Sequence, residues 1–279
     1  MPFTLSHPAA VLMVARRPLV VPALVAGSVA PDVPDFIGIK ADRPVWWEPL
    51  FNLTYTHTIP GLGIDLVYAL GLVVLYALVK RPVLAMAPKI AARVPQAPGY
   101  GKGAAGAARR TLWTLLSALI GLVTHIVWDS FTHYGMFFDE HFSSFMRTPV
   151  IGGLDVLRLT QHVSSVVGLV AIAYWLWRKW RRAESAPLAP SLILGRRARI
   201  AVVSALLVAC GVGAVQRVLE TDYSVSTEYL LRQIATGGGL GIALGLILYS
   251  LAWQTAHIKD REQPPEELGK VRVHSHRAS

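Results

Sequence analysis

Residues 112–133 read LWTLLSALIGLVTHIVWDSFTH, and the first part of this stretch, 112–128, contains no Lys, Arg, Asp or Glu. An α-helix rises about 1.5 Å per residue, so a run of this length comes close to the thickness of the hydrocarbon core of a bilayer. Four further runs are comparably long and apolar: 61–79, 162–178, 199–219 and 234–253. The pattern therefore predicts five membrane-spanning helices.

The composition excludes the other broad classes of protein. Of the 279 residues, 53% are hydrophobic and 16% are charged, whereas a soluble domain carries about 25% charged residues. A chain this apolar is also too hydrophobic to be disordered. We therefore predict an all-α fold, a polytopic membrane helix bundle that forms one membrane-embedded domain over 1–255. A polar, disordered tail over 256–279 is expected to follow it.

The N-terminal stretch 5–30 is also apolar, but Arg16, Arg17, Pro18 and Pro22 interrupt it. Proline lacks a backbone donor, and every backbone polar group inside a bilayer needs a partner. This stretch therefore predicts a pair of short helices, arranged as a re-entrant hairpin, instead of a sixth span.

The loop charges predict the orientation of the chain. Segment 80–111 holds seven Lys or Arg and no acid, and segment 178–199 holds seven basic residues against the single Glu184. Basic loops stay on the cytoplasmic side. We therefore expect a multi-pass protein of the inner membrane, with both segments and the C-terminus in the cytoplasm. We expect 80–111 to be a mobile Ala/Gly/Pro-rich loop. The segments that carry most acids, 31–60, 129–161 and 220–233, then face the opposite side.

The net charge of +10 is explained by these loops, which meet anionic lipid headgroups. It does not indicate nucleic acid as a partner. The run GKGAAG at 101–106 matches a dinucleotide fingerprint only formally, because that motif works between a strand and a helix of a βαβ unit. No nucleotide is therefore expected. The single Cys210 excludes an intrachain disulfide and a cysteine-based metal site.

The sharpest chemical signal is the spacing of His125, Asp129 and His133. Residues i, i+4 and i+8 lie on one stripe of a helix, here at the end of a predicted span. Ionisable side chains at that depth are unfavourable unless they pair, bind a metal or line a wet cavity. Two interpretations remain open at this point: a metal site, or a His–Asp pair that holds helices together.

Other acids and imidazoles are predicted to reach the same extracytoplasmic face. Asp32 and Asp35 lie in the sequence PDVPD, whose prolines predict a rigid non-helical turn. His57 precedes the next span, and Asp65 lies inside that span, near its start. His7 precedes the first short apolar segment, and His162 begins the long apolar run 162–178. Imidazole and carboxylate without thiolate suit zinc, manganese or iron.

Several of these motifs occur together in a bacterial membrane family catalogued as domain of unknown function 4184, which the chain resembles over about residues 1–255. The motifs are MPFTLSHPAAV at 1–11, GSVAPD at 27–32, THTIPG at 56–61, THIVWDSFTH at 124–133 and QHVSS at 161–165. The sequence is distantly similar to membrane-bound metal-dependent hydrolases. Beyond those it is similar to zinc-dependent phospholipase C and the single-strand nucleases of the same fold.

The nuclease resemblance implies a ligand set. In that group the ligands of a three-zinc cluster follow the order His, Asp, His, His-x-x-x-Asp, His, His-x-x-x-Glu. The matching residues here are His7, Asp32 or Asp35, His57, His125 with Asp129, His133 and His162. Position 166 is Val instead of an acid, and the amino-terminal Trp ligand of that group is missing. The resemblance therefore implies one or two divalent ions, most readily zinc, with manganese or iron as alternatives.

The leading functional hypothesis is a membrane-embedded metal-dependent hydrolase. Its expected substrate is a phosphoester on a lipid or lipid-linked molecule at the extracytoplasmic face, with Asp35 and Asp65 as catalytic residues that act as general base or orient the ligands. The alternative is a non-enzymatic multi-pass protein, either a metal or proton transporter or a structural partner, whose His/Asp cluster holds helices together. Membrane lipids are partners in both cases, and the sequence leaves the oligomeric state open.

The hydrolase hypothesis makes a geometric prediction. The donor atoms of His125, Asp129, His57 and Asp32 should lie roughly 3–5 Å apart, since each ligand sits about 2.0–2.2 Å from a shared ion. We expect His133 at a second ion or at the edge of the first. Three further residues are expected in the next ring, where they complete a second ion or orient ligands: His7, Asp35 and His162.

Overall fold

The computed structural model describes residues 4–39, 45–94, 103–185, 193–221 and 226–257, and regular structure there is almost entirely helical. The N-terminal part contains the short helices α1 (Pro8–Leu12), α2 (Val21–Val29), α3 (Val33–Ile37), α4 (Glu48–Phe51) and α5 (Leu53–Thr56). These are followed by α6 (Leu62–Met86), α7 (Pro88–Ala91), α8 (Gly103–Ser130), α9 (Phe137–His141) and α10 (Ser143–Met146). An antiparallel hairpin of β1 (Pro149–Ile151) and β2 (Leu154–Asp155) leads into α11 (Val156–Arg182), α12 (Arg196–Leu219) and α13 (Thr227–Ala256).

Within the described ranges, five helices are long and apolar enough to cross a membrane: α6 with the turn before it, α8, α11, α12 and α13. Each of them contains one of the five predicted apolar runs and extends beyond it. The extensions carry polar and basic residues, such as Arg109 and Arg110 near the start of α8, because a helix need not end where the hydrocarbon core does. The all-α, multi-pass fold class predicted from the sequence is therefore confirmed.

The described chain forms two compact units. One comprises Met1–Tyr76 with Val94–Glu184, and the other comprises Ala77–Arg93 with Ser185–Ser279. Every side chain predicted to take part in the site belongs to the first unit.

In the first unit, α2 packs directly against α8 through glycines. A Cβ atom on Gly27 would lie 2.1 Å from the carbonyl oxygen of Ala118, and one on Gly121 would lie 2.3 Å from the carbonyl oxygen of Leu24. The Val20 backbone N–H, at the start of α2, donates to Ser117 Oγ at 2.8 Å. The two backbones therefore touch, and this contact fixes where the residues after Gly27 stand relative to the end of α8.

In the second unit, α12 and α13 use the same device. A Cβ atom on Gly213 would lie 2.2 Å from the carbonyl oxygen of Gly237, and one on Gly241 would lie 2.0 Å from that of Ala209. Close contact through small residues is the usual way in which helices associate in lipid, where no hydrophobic effect drives them together.

The N-terminal stretch forms two short helices, α1 and α2, as predicted. The prediction of a non-helical turn at 31–35 is wrong. Ala30–Asp32 is a 3₁₀ turn, and Val33–Ile37 is a helix. Proline is favourable in the first turn of a helix, where its missing N–H has no partner to lose, so the two prolines start these elements instead of preventing them.

The expectation of a mobile loop over 80–111 is also wrong for its described part. Helix α6 continues through Pro82 to Met86, α7 follows, and α8 begins at Gly103. Helix α8 begins this early because the Ala-rich run after Gly103 has a high helix propensity. Residues 95–102 and the predicted tail from 258 onward lie outside the described ranges.

Candidate metal centre

Four buried side chains converge at the end of α8. Asp32, His57, His125 and Asp129 each present one ligand atom, and these atoms all lie within 4.8 Å of one another. His125 and Asp129 come from successive turns of α8, Asp32 from the 3₁₀ turn after α2, and His57 from the end of α5. The four side chains expected within ligand distance of one another are therefore together.

The distances between donor atoms within this group are short and similar. Oδ2 of Asp129 lies 3.2 Å from Nε2 of both His57 and His125. Oδ1 of Asp32 lies 3.4 Å from Nε2 of His57 and 3.8 Å from Nε2 of His125. The two Nε2 atoms are themselves 3.2 Å apart.

The backbone fixes the tautomers of both imidazoles. Nδ1 of His125 lies 2.8 Å from the Ser28 carbonyl oxygen, and Nδ1 of His57 lies 2.8 Å from the Leu53 carbonyl oxygen. A carbonyl only accepts, so each Nδ1 carries a proton and donates it. In the neutral rings both Nε2 lone pairs then face the same point. Two lone pairs at 3.2 Å repel each other unless a cation or a proton lies between them.

The electrostatic environment of this point is negative. Burial lowers the pKa of an imidazole, but the neighbouring Asp129 and Asp32 outweigh that effect and raise the pKa of His57 to about 10. A potential that holds a proton this firmly also attracts a metal cation.

The second oxygen of Asp129 faces a different pair of imidazoles. Oδ1 lies 3.4 Å from Nε2 of His7 and 3.4 Å from Nδ1 of His133. The His7 ring is buried and stacks on the His125 ring with centroids 4.0 Å apart. His7 is predicted to complete a second ion or orient ligands; it lies against Oδ1 of Asp129, beside the four grouped ligands, and is not one of them. It reaches Asp129 because α1, which it directly precedes, packs against α2, α8 and α11.

His133 lies at the more open edge of the cluster. Its side chain is 20% exposed, whereas that of Asp129 is fully buried. It follows the last turn of α8, as the helical stripe predicted, and Thr132 Oγ1 lies 3.2 Å from its Nδ1.

The two acids predicted to be catalytic differ in their surroundings. Asp65, in the first turn of α6, is fully buried, and neither of its carboxylate oxygens has a hydrogen-bond partner among the described residues. His57, His125 and Asp32 are the groups that act on it electrostatically. Asp35, in α3, is only half-buried and is not among the four grouped ligands.

His162 does not join the cluster. It is exposed, and so is Val166 one turn later, while its neighbour Gln161 is buried. Gln161 and Gly168 lie on the inward face of α11, where a Cβ atom on Gly168 would come within 2.9 Å of Ser6 Cβ. Because successive residues of a helix point about 100° apart, the inward face of α11 excludes His162. The prediction of His162 as a ligand is therefore not supported by its position.

Sequence reasoning missed the carbonyl groups of Ser28 and Leu53, which orient the two imidazoles. A carbonyl leaves no mark in the side-chain sequence. The small residues around it do, since Gly27 and Gly121 allow α2 to approach α8 closely enough for the Ser28 carbonyl to reach His125.

No match to this chain is found among curated proteins or among solved structures. The family model described as a domain of unknown function, DUF4184, matches residues 1–251. With nearly the whole chain matched, this all-α protein, with its five apolar helices and its buried His/Asp cluster, belongs to the family of that domain of unknown function.

Proposed function

We propose that the protein is a membrane-embedded metal-dependent hydrolase whose ion is held by Asp32, His57, His125 and Asp129. The observation that carries the proposal is the spacing of these ligand atoms, 3.2–3.8 Å for every carboxylate–imidazole contact among the four. Charge-assisted hydrogen bonds are shorter, about 2.7–2.9 Å. Two ligands on one tetrahedral ion, each about 2.0–2.2 Å from it, stand roughly 3.3–3.6 Å apart.

Unsatisfied polar atoms support the same conclusion. Both oxygens of Asp32, Oδ2 of Asp129 and both ring nitrogens of His7 are buried without a hydrogen-bond partner among the described residues. Buried charged groups that lack hydrogen bonds are strongly unfavourable, so natural proteins pair them or place a metal between them. The two carbonyl groups that hold the imidazoles are also the outer-shell partners that metal-ligating histidines normally have.

Two nitrogens and two oxygens in a buried four-ligand group favour zinc, with manganese or iron as alternatives. The second oxygen of Asp129, with His7 and His133, supplies the ligands for a second ion at the open edge. In this proposal Asp129 bridges the two positions.

A bound divalent ion supplies a hydroxide near neutral pH and a Lewis acid for a phosphoryl oxygen. The residues of the chain do the remaining work. Asp65, which is buried and has no hydrogen-bond partner among the described residues, accepts a proton or orients a ligand. The half-buried Asp35 is proposed for the same role. The partly exposed edge at His133 admits the substrate.

The proposed substrate is a phosphoester on a lipid or lipid-linked molecule. The centre lies at the end of a helix of membrane-spanning length. The charges of the loops lead us to expect that end at the extracytoplasmic face of the inner membrane. A lipid or lipid-linked substrate partitions to the headgroup level of the membrane without a dedicated binding site. Labelling of single cysteines at positions 140 and 184 in a Cys210→Ser background tests the assignment, with outside-only reaction expected for position 140.

Metal analysis of detergent-purified protein tests the centre itself. We expect wild type to retain at least one divalent ion per chain and His125→Ala to lose it while remaining folded. His162→Ala is the matched control, since it removes an imidazole from the exposed face of α11 and should retain the metal. Phosphatidic acid and a phosphodiester lipid then serve as substrates, and hydrolysis should disappear in His125→Ala and persist in His162→Ala.

The alternative function is a non-enzymatic one in which the cluster holds helices together or relays ions. It is favoured if wild type purified without chelator contains no metal and takes up none at micromolar zinc. In that case His125→Ala should mainly destabilise the protein, by about 1–3 kcal/mol for an unpaired buried partner. Metal bound without turnover of any lipid phosphoester would instead favour transport or a structural metal.

A further inference from the structure

The segment between α8 and α11 presents an unusually apolar surface. Its two short helices and its hairpin carry large side chains that are mostly exposed, among them Phe137 (54%), Phe145 (64%) and Ile151 (66%). The others with this property are Phe131, Tyr134, Phe142 and Val150. We call these seven side chains the aromatic cap.

The aromatic cap continues the exposed apolar stripe of a spanning helix. Along α8, Leu119, Val123 and Val127 are exposed at intervals of four residues, and Phe131 is the next residue in that series. In a helix of membrane-spanning length such a stripe faces lipid. The cap therefore begins where the lipid-facing surface of α8 ends, without an intervening polar patch.

Hydrogen bonds and a ring stack brace the segment that carries the cap. Both carboxylate oxygens of buried Asp139 accept hydrogen bonds of 2.8 Å from Arg147, and the Gly135 N–H donates to the same carboxylate. The Phe131 and Phe138 rings stack with centroids 3.8 Å apart. Because these contacts brace the segment, its exposed aromatic side chains point outward as part of the fold.

We propose that the aromatic cap docks into the boundary between the headgroups and acyl chains of the membrane leaflet at the C-terminal end of α8. Aromatic residues are enriched at this boundary, and interfacial segments bury their apolar face about 5–10 Å into it. A lipid surface fits better than a protein partner because the cap is continuous with the lipid-facing stripe of α8. The exposed guanidinium of Arg147 lies beside it, 5.8 Å from the centroid of the Tyr134 ring. This inference holds whether or not the centre hydrolyses anything.

The cap also lies next to the open edge of the cluster in the chain, since Phe131 and Tyr134 flank Thr132 and His133. A lipid that enters from the leaflet would meet the cap before it meets the ligands. The substrate class under the proposed function is then an amphiphile drawn from the bilayer, instead of a soluble phosphoester.

The test uses the full chain in vesicles of phosphatidylcholine and phosphatidylglycerol. In a Cys210→Ser background, a bimane probe is attached to single cysteines at Phe137, Phe145 and Ser144. Ser144 is the matched control, because it is exposed in the same short helix as Phe145 but is polar. Val127 on α8 is the positive control for contact with lipid.

We expect lipids with a shallow doxyl group to quench the probe at 137 and 145 at least about twofold more than at 144, given an insertion depth of about 5–10 Å. Aqueous iodide should show the reverse order. Strong iodide quenching at 137 and 145 without doxyl quenching would overturn the proposal and leave the cap in water. Shielding from both quenchers would also overturn it, since a protein partner or a second copy would then cover the cap.

Discussion

Replacing Gly121 by alanine tests whether metal binding at the centre depends on the close approach of α2 and α8. The substitution adds a single methyl group one turn before His125 and changes no ligand. Alanine is also the better helix former by about 1 kcal/mol, so α8 itself gains from the change.

The magnitude follows from the packing of the two backbones. The new Cβ would lie 2.3 Å from the carbonyl oxygen of Leu24 and 2.6 Å from the backbone nitrogen of Ser28. Ordinary contact begins near 3.4 Å, so α2 must retreat by about 1 Å. The hydrogen bond of 2.8 Å from His125 Nδ1 to the Ser28 carbonyl then stretches beyond the range of a hydrogen bond. Loss of such an outer-shell partner typically lowers metal affinity about 10- to 100-fold.

The assay is a zinc titration against a competing chelator, with thermal unfolding measured on the same samples. Gly71→Ala is the control, because Gly71 lies in the spanning helix α6 and no atom of the described residues comes within 4 Å of its added Cβ. The control should keep wild-type affinity.

Wild-type zinc affinity in folded Gly121→Ala protein would refute the reasoning, because the carbonyl of Ser28 would then be irrelevant to the ligand. The milder Gly168→Ala tests the corresponding argument for the second position. Its Cβ would lie 2.9 Å from Ser6 Cβ and 3.0 Å from the Ser6 carbonyl oxygen, so it displaces the segment that carries His7 by only a few tenths of an ångström. It should lower metal content at the second position alone, and unchanged content would contradict the role of His7 there.

Three further predictions concern single changes elsewhere. Because Asp129 faces both imidazole pairs, Asp129→Asn should remove all bound metal, measured by elemental analysis. His133→Asn should remove at most the metal bound at the open edge. Equal losses in the two variants would contradict a bridging role for Asp129. Hydrogen bonds from Arg147 and Gly135 lower the pKa of Asp139 to about 2 from its ordinary 3.8, so the brace on the aromatic cap is complete above pH 4 and is lost as the pH falls through about 2. Hydrogen exchange of 131–155 should rise over that window in wild type, and at neutral pH in Asp139→Asn; exchange that does not respond would refute the brace. Gly213→Ala should lower the thermal stability of the α12–α13 pair without changing metal content. Gly211→Ala, whose added Cβ meets no atom of the described residues within 4 Å, should leave both quantities unchanged. A loss of metal in Gly213→Ala would contradict the expectation that this pair is independent of the centre.

Most of the fold could be predicted from the sequence, because the length and apolarity of a spanning run are local properties. The run at 112–128 needed no knowledge of its neighbours to be identified as a helix. The ends of the helices were less predictable. Beyond the hydrocarbon core only propensity and capping decide where a helix stops, and α8 therefore begins nine residues before that run.

The candidate site was predictable where its residues share one helix. His125 and Asp129 are fixed on one stripe by the helical repeat alone. His133 lies just past the end of α8 and stays in line because its N–H donates to the Asp129 carbonyl oxygen. His162 shows the limit of this approach, because a helix of known sequence still has an unknown rotation. Whether His162 or Gln161 faces inward depends on which face packs against Ser6, and that contact joins residues far apart in the chain.

The sequence by itself thus determined the class of protein, its five apolar helices and the residue types available for a metal. Only the tertiary structure decided that Asp32 and His57 meet His125 and Asp129, and that His7 lies against the same carboxylate as His133. The physical reason is that spanning helices form independently, through hydrogen bonds within each segment. Their rotation and spacing are set afterwards by glycine contacts and carbonyl groups that bring together parts of the chain separated by nearly a hundred residues.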